Sequence, residues 1–250
     1  MLFEFKPSTP SLIRLRMTTI IILFMALLPI AILAFYIFHK DKQYPEPTGQ
    51  LVKAFLFGVL SVPLSLCISI PLGLIGVYPT ETTSILGSVS TAFFGAAIPE
   101  EIAKFIMLWL LLRKNRYFDE KMDGIVYAVC VSLGFAALEN IMYLFSNAET
   151  FLSVGISRAI FAVPGHFCFG ILMGYYYSLA KFYPQTPKKN KALILVAPIL
   201  VHGLYDSILF IITVTPAISG VLLIVFLVFC HKMWKYGSKS IEEHLQRDLY

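Results

Sequence analysis

Apolar residues run in long stretches along this chain, separated by short clusters of proline and polar residues. Seven stretches are readable, at roughly 17–38, 52–75, 86–112, 123–145, 156–180, 192–213 and 216–234. Each reaches about 20 residues, the length at which a helix crosses a hydrocarbon core of about 30 Å. The breaks fall at Tyr44 to Pro47, Tyr78 to Thr80, Asn147 to Thr150 and Pro184 to Pro187. The pattern predicts an all-α fold, a polytopic membrane helical bundle of seven transmembrane helices, or eight if one further span is broken. Pro63 and Pro71 lie inside the second stretch and predict a kink or a re-entrant turn there. The third stretch is long enough to tilt or to project past the bilayer. The first exceeds the 7–15 apolar residues of a secretory signal and no A-x-A site follows it, so a retained span is expected.

Composition sharpens this reading. The chain has 250 residues, 58% hydrophobic and 14% charged, with a mean hydropathy of +0.76. Soluble domains carry about 25% charged residues. The expectation is one integral membrane domain over 1–250, with a four-helix core over 86–213 and no second, soluble domain. The net charge of +5 does not point to nucleic acid, because the basic residues sit in loops beside the spans. Lys and Arg follow spans 1, 3, 5 and 7 and are nearly absent after spans 2, 4 and 6, where only Arg158 stands at an edge. Those odd-numbered loops and the C-terminal tail are therefore expected in the cytoplasm, and the N-terminus outside. Lys6, Arg14 and Arg16 oppose the last assignment. Cys67, Cys130, Cys168 and Cys230 lack metal-ligand spacing and are expected as small buried thiols.

Ionisable side chains at bilayer depth are expensive, so each requires a reason. Glu100, Glu101 and Lys104 lie in span 3, Glu139 in span 4, His166 in span 5, and His202 with Asp206 in span 6. Glu100 and Lys104, His202 and Asp206, and the row Phe135, Glu139 and Tyr143 are each spaced i,i+4 on one helix face. Gly170 and Gly174 repeat that spacing after His166 and form a face for close helix approach. At about 1.5 Å per residue, Glu100, Glu139, His166, His202 and Asp206 lie about 16–24 Å from the cytoplasmic ends of their spans. Four consecutive spans thus predict one shared polar cavity, reaching from mid-membrane into the outer half. Each pair also has a structural reading: Glu100 with Lys104 as an interhelical ion pair, Glu139 with Asn140 as a hydrogen-bonded pair, His202 with Asp206 as a satisfied pair. Tyr175 to Tyr177, Trp109 and Trp234 read as an interfacial aromatic belt. His39, His231 and His244 are assigned no role.

Taken in order, Glu100-Glu101-x-x-Lys104, Phe135-x-x-x-Glu139-x-x-x-Tyr143, His166 and His202-x-x-x-Asp206 resemble the PrsW family of intramembrane proteases over roughly residues 90–210. More distantly they are similar to type II CAAX prenyl endopeptidases, whose glutamate motif ends in Arg where this chain has Lys104. The resemblance implies a glutamic-type endopeptidase of the bacterial cell membrane. It also implies a partner, a single-span anti-sigma factor cut outside the cytoplasm. Peptide hydrolysis needs a base, a water and oxyanion donors. Glu100 or Glu101 is expected as base, Glu100 first because Lys104 shares its face. His166 and His202 would hold water or the oxyanion, Asp206 would orient His202, and Glu139 would be the second carboxylate, passing a proton to the leaving amine. No cofactor is then required. A zinc alternative remains, held by His166, His202 and Glu139 or Glu100. A proton- or ion-coupled transporter, or a non-catalytic scaffold, is the reading from another class.

Overall fold

A computed structural model describes residues 12–183, 185 and 187–248. Lys6 and Pro184 lie outside the described residues, as does the side chain of Arg14. Nine α-helices are described: α1 (Leu12–Lys40), α2 (Thr48–Leu74), α3 (Ile85–Ser90), α4 (Ile98–Leu112), α5 (Lys121–Ser146), α6 (Phe151–Ser157), α7 (Val163–Phe182), α8 (Pro187–Val214) and α9 (Ser219–Asp248). A π-helical turn over Thr91–Ala97 joins α3 to α4, and another over Arg158–Ala162 joins α6 to α7. The nine therefore make seven continuous rods. Six are long and apolar enough to cross a membrane. The seventh, 85–112, carries Glu100, Glu101 and Lys104 at its middle. Proline 63 and proline 71 interrupt nothing: α2 runs through both, and the re-entrant alternative is not realised. Gly76, at φ 76°, takes the left-handed turn that ends this rod and that a side chain would resist.

The rods are arranged around α5. In its most apolar stretch 78% of residues are buried, against 6% for the last rod, so α5 is the axis and α9 lies at the rim. Small residues make the axis possible. A Cβ on Gly58 of α2 would overlap the Val131 carbonyl, and one on Gly134 of α5 would overlap the Phe55 carbonyl, so two backbones touch there. On the other side of α5, Gly170 of α7 packs on Ser132 and Val129, and Gly174 packs on Gly124 and Ile125, as the spacing predicts. Outward faces stay apolar: Phe24, Phe35, Leu56, Val221 and Ile224 are all exposed, as expected of a surface solvated by lipid.

Several sequence expectations need correction. The fifth rod begins at Phe151 and the last continues to Asp248, well beyond residue 234. The tail is therefore a helix, and it packs: Ile241 and His244 are buried, and His244 stacks on Tyr175 at 4.5 Å. Tyr175 is accordingly a buried residue whose hydroxyl donates to Glu243 (2.7 Å), not a belt tyrosine. Asp248 closes the tail against the axis by accepting from the N–H of Lys121 (2.9 Å) and of Met122 (2.8 Å). Those donors lack partners inside α5, and a carboxylate at a helix N-terminus is also favoured by the dipole. Cys130 and Cys168 are buried, but Cys67 is exposed on the apolar outer face and Cys230 is half-buried.

Candidate active site

Both π turns lie immediately ahead of the polar residues. The N–H of Ile98 bonds the Phe93 carbonyl, and that of Val163 bonds the Arg158 carbonyl, each five residues back. Pro99 and Pro164 follow. A proline has no N–H and its ring presses on the carbonyl four residues back; opening the preceding turn by one residue relieves both problems without breaking the rod. The result sets Glu100 and Glu101 one turn into α4, and His166 one turn into α7.

From these positions the side chains form one continuous chain of contacts across four helices. His202 Nε2 faces Asp206 Oδ2 at 3.2 Å, and its Nδ1 faces Glu101 Oε1 at 2.9 Å. The same Glu101 oxygen accepts from Lys104 Nζ at 2.8 Å. Lys104 Nζ lies 3.4 Å from Glu100 Oε2 and 3.1 Å from His166 Nδ1. His166 Nε2 lies 2.9 Å from Glu139 Oε2, which also accepts from Arg158 Nη2 at 2.5 Å. The i,i+4 pairs read in the sequence are thus present, but the spans are joined by contacts that spacing does not show. Glu139 pairs with His166 and Arg158 rather than with Asn140.

Hydrogen-bond roles follow from the partners. An ammonium has only donors, so His166 Nδ1 accepts from Lys104, and the ring proton sits on Nε2, donated to Glu139. His202 is different: both of its nitrogens face carboxylate oxygens, an arrangement satisfied by the doubly protonated ring. The two histidines are therefore not interchangeable. Packing fixes both rings. Phe169 stacks on His202 at 4.4 Å, Phe135 packs against His166 at 5.4 Å, and Lys104 Nζ sits 4.2 Å above the Phe135 ring. Ser132 holds the backbone beneath, donating to the His166 carbonyl at 2.6 Å.

A cavity of about 260 Å³ opens on one side of this chain. Its polar wall includes Glu100, Glu139, Tyr143, Arg158, His166, His202 and Asp206, with Phe161, Phe169 and Leu209 among its apolar residues. Glu101, Lys104 and Phe135 stand behind that wall. Glu101 has a fully buried side chain, and its Oε2 has no hydrogen-bond partner. Glu100 retains 14% side-chain exposure and, among the described residues, pairs with Lys104 alone. Of the two adjacent glutamates, Glu100 is the one a water in the cavity would meet.

Arg158 is the participant that sequence reasoning passed over. It pairs with Glu139, donates from Nε to the Asn140 side chain at 2.6 Å, and lies 4.1 Å from the Tyr143 ring. Asn140 in turn donates to the Ala26 carbonyl at 3.2 Å, tying the first rod to the site. The available signal was its position, the one Lys or Arg beside the loops that follow spans 2, 4 and 6.

Two sets of donors at this site lie close enough to hold a metal ion, Glu100 with Glu139 and His166, and Glu100 with Glu101 and His202. Among the described residues no such set joins both histidines, so the ligand set expected from sequence is split, with Glu100 common to the halves. By donor type, two oxygens and a nitrogen facing a cavity, the first set fits zinc.

A sequence model described as the PrsW family intramembrane metalloprotease matches residues 46–231. The chain is 36% identical over 224 residues to Protease PrsW of Clostridioides difficile (strain 630), covering 88% of this chain and 90% of that one. It is 33% identical over 212 residues to Protease PrsW of Bacillus subtilis (strain 168), covering 83% and 88%. For Protease PrsW of Oceanobacillus iheyensis the identity is 36% over 181 residues, covering 72% and 79%. No solved structure matches.

Proposed function

The chain belongs to the PrsW family of intramembrane proteases, and we propose that it cleaves by glutamate-activated water, with Glu100 as the base. The observation that carries this reading is the difference between the adjacent glutamates: Glu100 lines the cavity, and Glu101 is sealed behind it between Lys104 and His202. A peptide carbonyl entering the cavity would meet the water at Glu100 and the Arg158 guanidinium as donor for the oxyanion, while His166, whose one N–H goes to Glu139, holds that carboxylate in place. Glu100 takes the water's proton and returns it to the leaving amine. Glu139 already accepts from both His166 and Arg158. We assign it to orienting Arg158, in place of the proton delivery expected from sequence. Asp206 and Glu101 hold His202 from its two edges. The substrate proposed is a single-span membrane protein, an anti-sigma factor by the family resemblance. It would be cut in the outer half of a bacterial cell membrane whose inner face meets the C-terminus.

A metal-assisted reading is favoured by one observation, the convergence of Glu100, Glu139 and His166. An ion held there would polarise the scissile carbonyl and acidify a bound water. Against it stand Lys104 and Arg158, whose positive charges already pair with Glu100 and Glu139.

The test uses purified full-length protein in detergent with a single-span substrate. Glu100→Gln is expected to lower cleavage at least about 100-fold while the protein stays folded. Wild-type cleavage by that variant sinks the assignment. Stoichiometric zinc in active protein, with activity lost to chelator and restored by zinc, selects the metal reading instead.

A further inference from the structure

A second cleft, of about 530 Å³, lies at the opposite end of α4 from the glutamates. Its walls are apolar and aromatic, from Phe105 and Trp109 of α4, Phe118 of the following loop and Ile194 of α8. Its cations are Arg113, Lys181 and Lys191, each from a different part of the fold. Among the described residues none of the three has a carboxylate within ion-pair distance; the ion pairs formed by lysine and arginine involve Lys104, Lys121, Arg158, Lys239 and Arg247. Arg113 rests 4.9 Å from the Trp109 ring, and Lys181 donates to the Phe118 carbonyl, so two of them are held at the cleft. A concave site with three cations, none of them in an ion pair, is complementary to a phosphate group. Apolar walls that continue onto the exposed face of Trp109 and Leu110 are complementary to hydrocarbon.

From this charge and shape we infer that the cleft is a binding site for an anionic phospholipid, its headgroup phosphate between Arg113 and Lys191 and its chains along α4. It lies on the Lys- and Arg-rich side of the bundle, where an anionic leaflet supplies such lipids. The inference does not depend on which group activates water.

Trp109 provides the probe. Full-length protein carrying Trp234→Phe is reconstituted in phosphatidylcholine nanodiscs, and chain-brominated phosphatidylglycerol or brominated phosphatidylcholine is titrated in. Brominated phosphatidylglycerol is expected to quench Trp109 at lower mole fraction than brominated phosphatidylcholine, and unlabelled phosphatidylglycerol to reverse the quenching. Arg113→Gln with Lys191→Gln should weaken the preference about fivefold for each cation removed. Lys188→Gln with Lys189→Gln, exposed on the same side but outside the cleft, should leave it unchanged. Equal quenching by the two lipids in the otherwise wild-type protein overturns the inference, as does an equal loss in the Lys188 and Lys189 control, which marks a general interfacial attraction. Should the Arg113 and Lys191 variant not fold, the lipid comparison and the competition still decide.

Discussion

Among single residues, the adjacent glutamates separate stability from chemistry. Glu101 is fully buried with Lys104 and His202 as partners. Removing one member of such a set leaves uncompensated charge, at a cost of about 3 kcal/mol. Glu101→Gln is therefore expected to lower the melting temperature in detergent as well as cleavage, where Glu100→Gln lowers cleavage alone. Equal melting temperatures for the two variants would contradict this division. Arg158→Lys keeps the charge but cannot bond Glu139 and Asn140 together through a rigid fork. Its cleavage rate should fall roughly 10–100-fold through misplacement of Glu139, with the melting temperature little changed. The sequence displayed Glu100, Glu139, His166, His202 and Asp206 because ionisable groups in apolar runs have few structural reasons to be there. It concealed Arg158 because an arginine at the edge of a span reads as interfacial. Which glutamate faces the cavity was equally hidden, since adjacent residues on a helix differ by about 100° and only the packed neighbours show which direction is wet.

Among the helices, existence and order were legible, and register was not. Lengths and apolar content gave the rods, and the interval from Gly170 to Gly174 gave one contact face of the axis. The π turns could not be read from a 3.6-residue period. Their trace in the sequence is a proline one residue before Glu100 and two before His166. The close approach of α2 and α5 through Gly58 and Gly134 is testable. A valine at position 134 would drive its side chain into the Phe55 carbonyl. Gly134→Val should destabilise the bundle by about 1–3 kcal/mol, read as a lower unfolding temperature, whereas Gly49→Ala, with open space around it, should be silent.

For the molecule as a whole, the end of the bundle remote from the active site concentrates carboxylates. Asp41 is buried there, and burial, with Glu46 and Glu120 nearby, raises its carboxyl from 3.8 to about 7. Glu46 is raised too, again by burial, although it accepts a hydrogen bond from the Tyr127 hydroxyl. A carboxyl raised on folding binds its proton more tightly in the native state. Its contribution is therefore full below the unfolded value and is lost as pH rises towards the folded one. The part of the stability that comes from Asp41 should fall between pH 3.8 and about 7, and Asp41→Asn should lessen the fall seen in melting curves taken across that range. The C-terminal helix was illegible at this scale: beyond residue 234 its charged residues read as a tail, yet its inward face seals the axis.

The modest size of the active-site cavity constrains what can be cut. A helix with its side chains is about 10–12 Å across, too thick to enter some 260 Å³ intact. Only a short extended piece of backbone can reach Glu100. Susceptible bonds should then sit where a target's own helix frays readily, beside glycine, proline or a polar residue near the outer membrane surface, and stiffening that stretch with alanine or leucine should protect it.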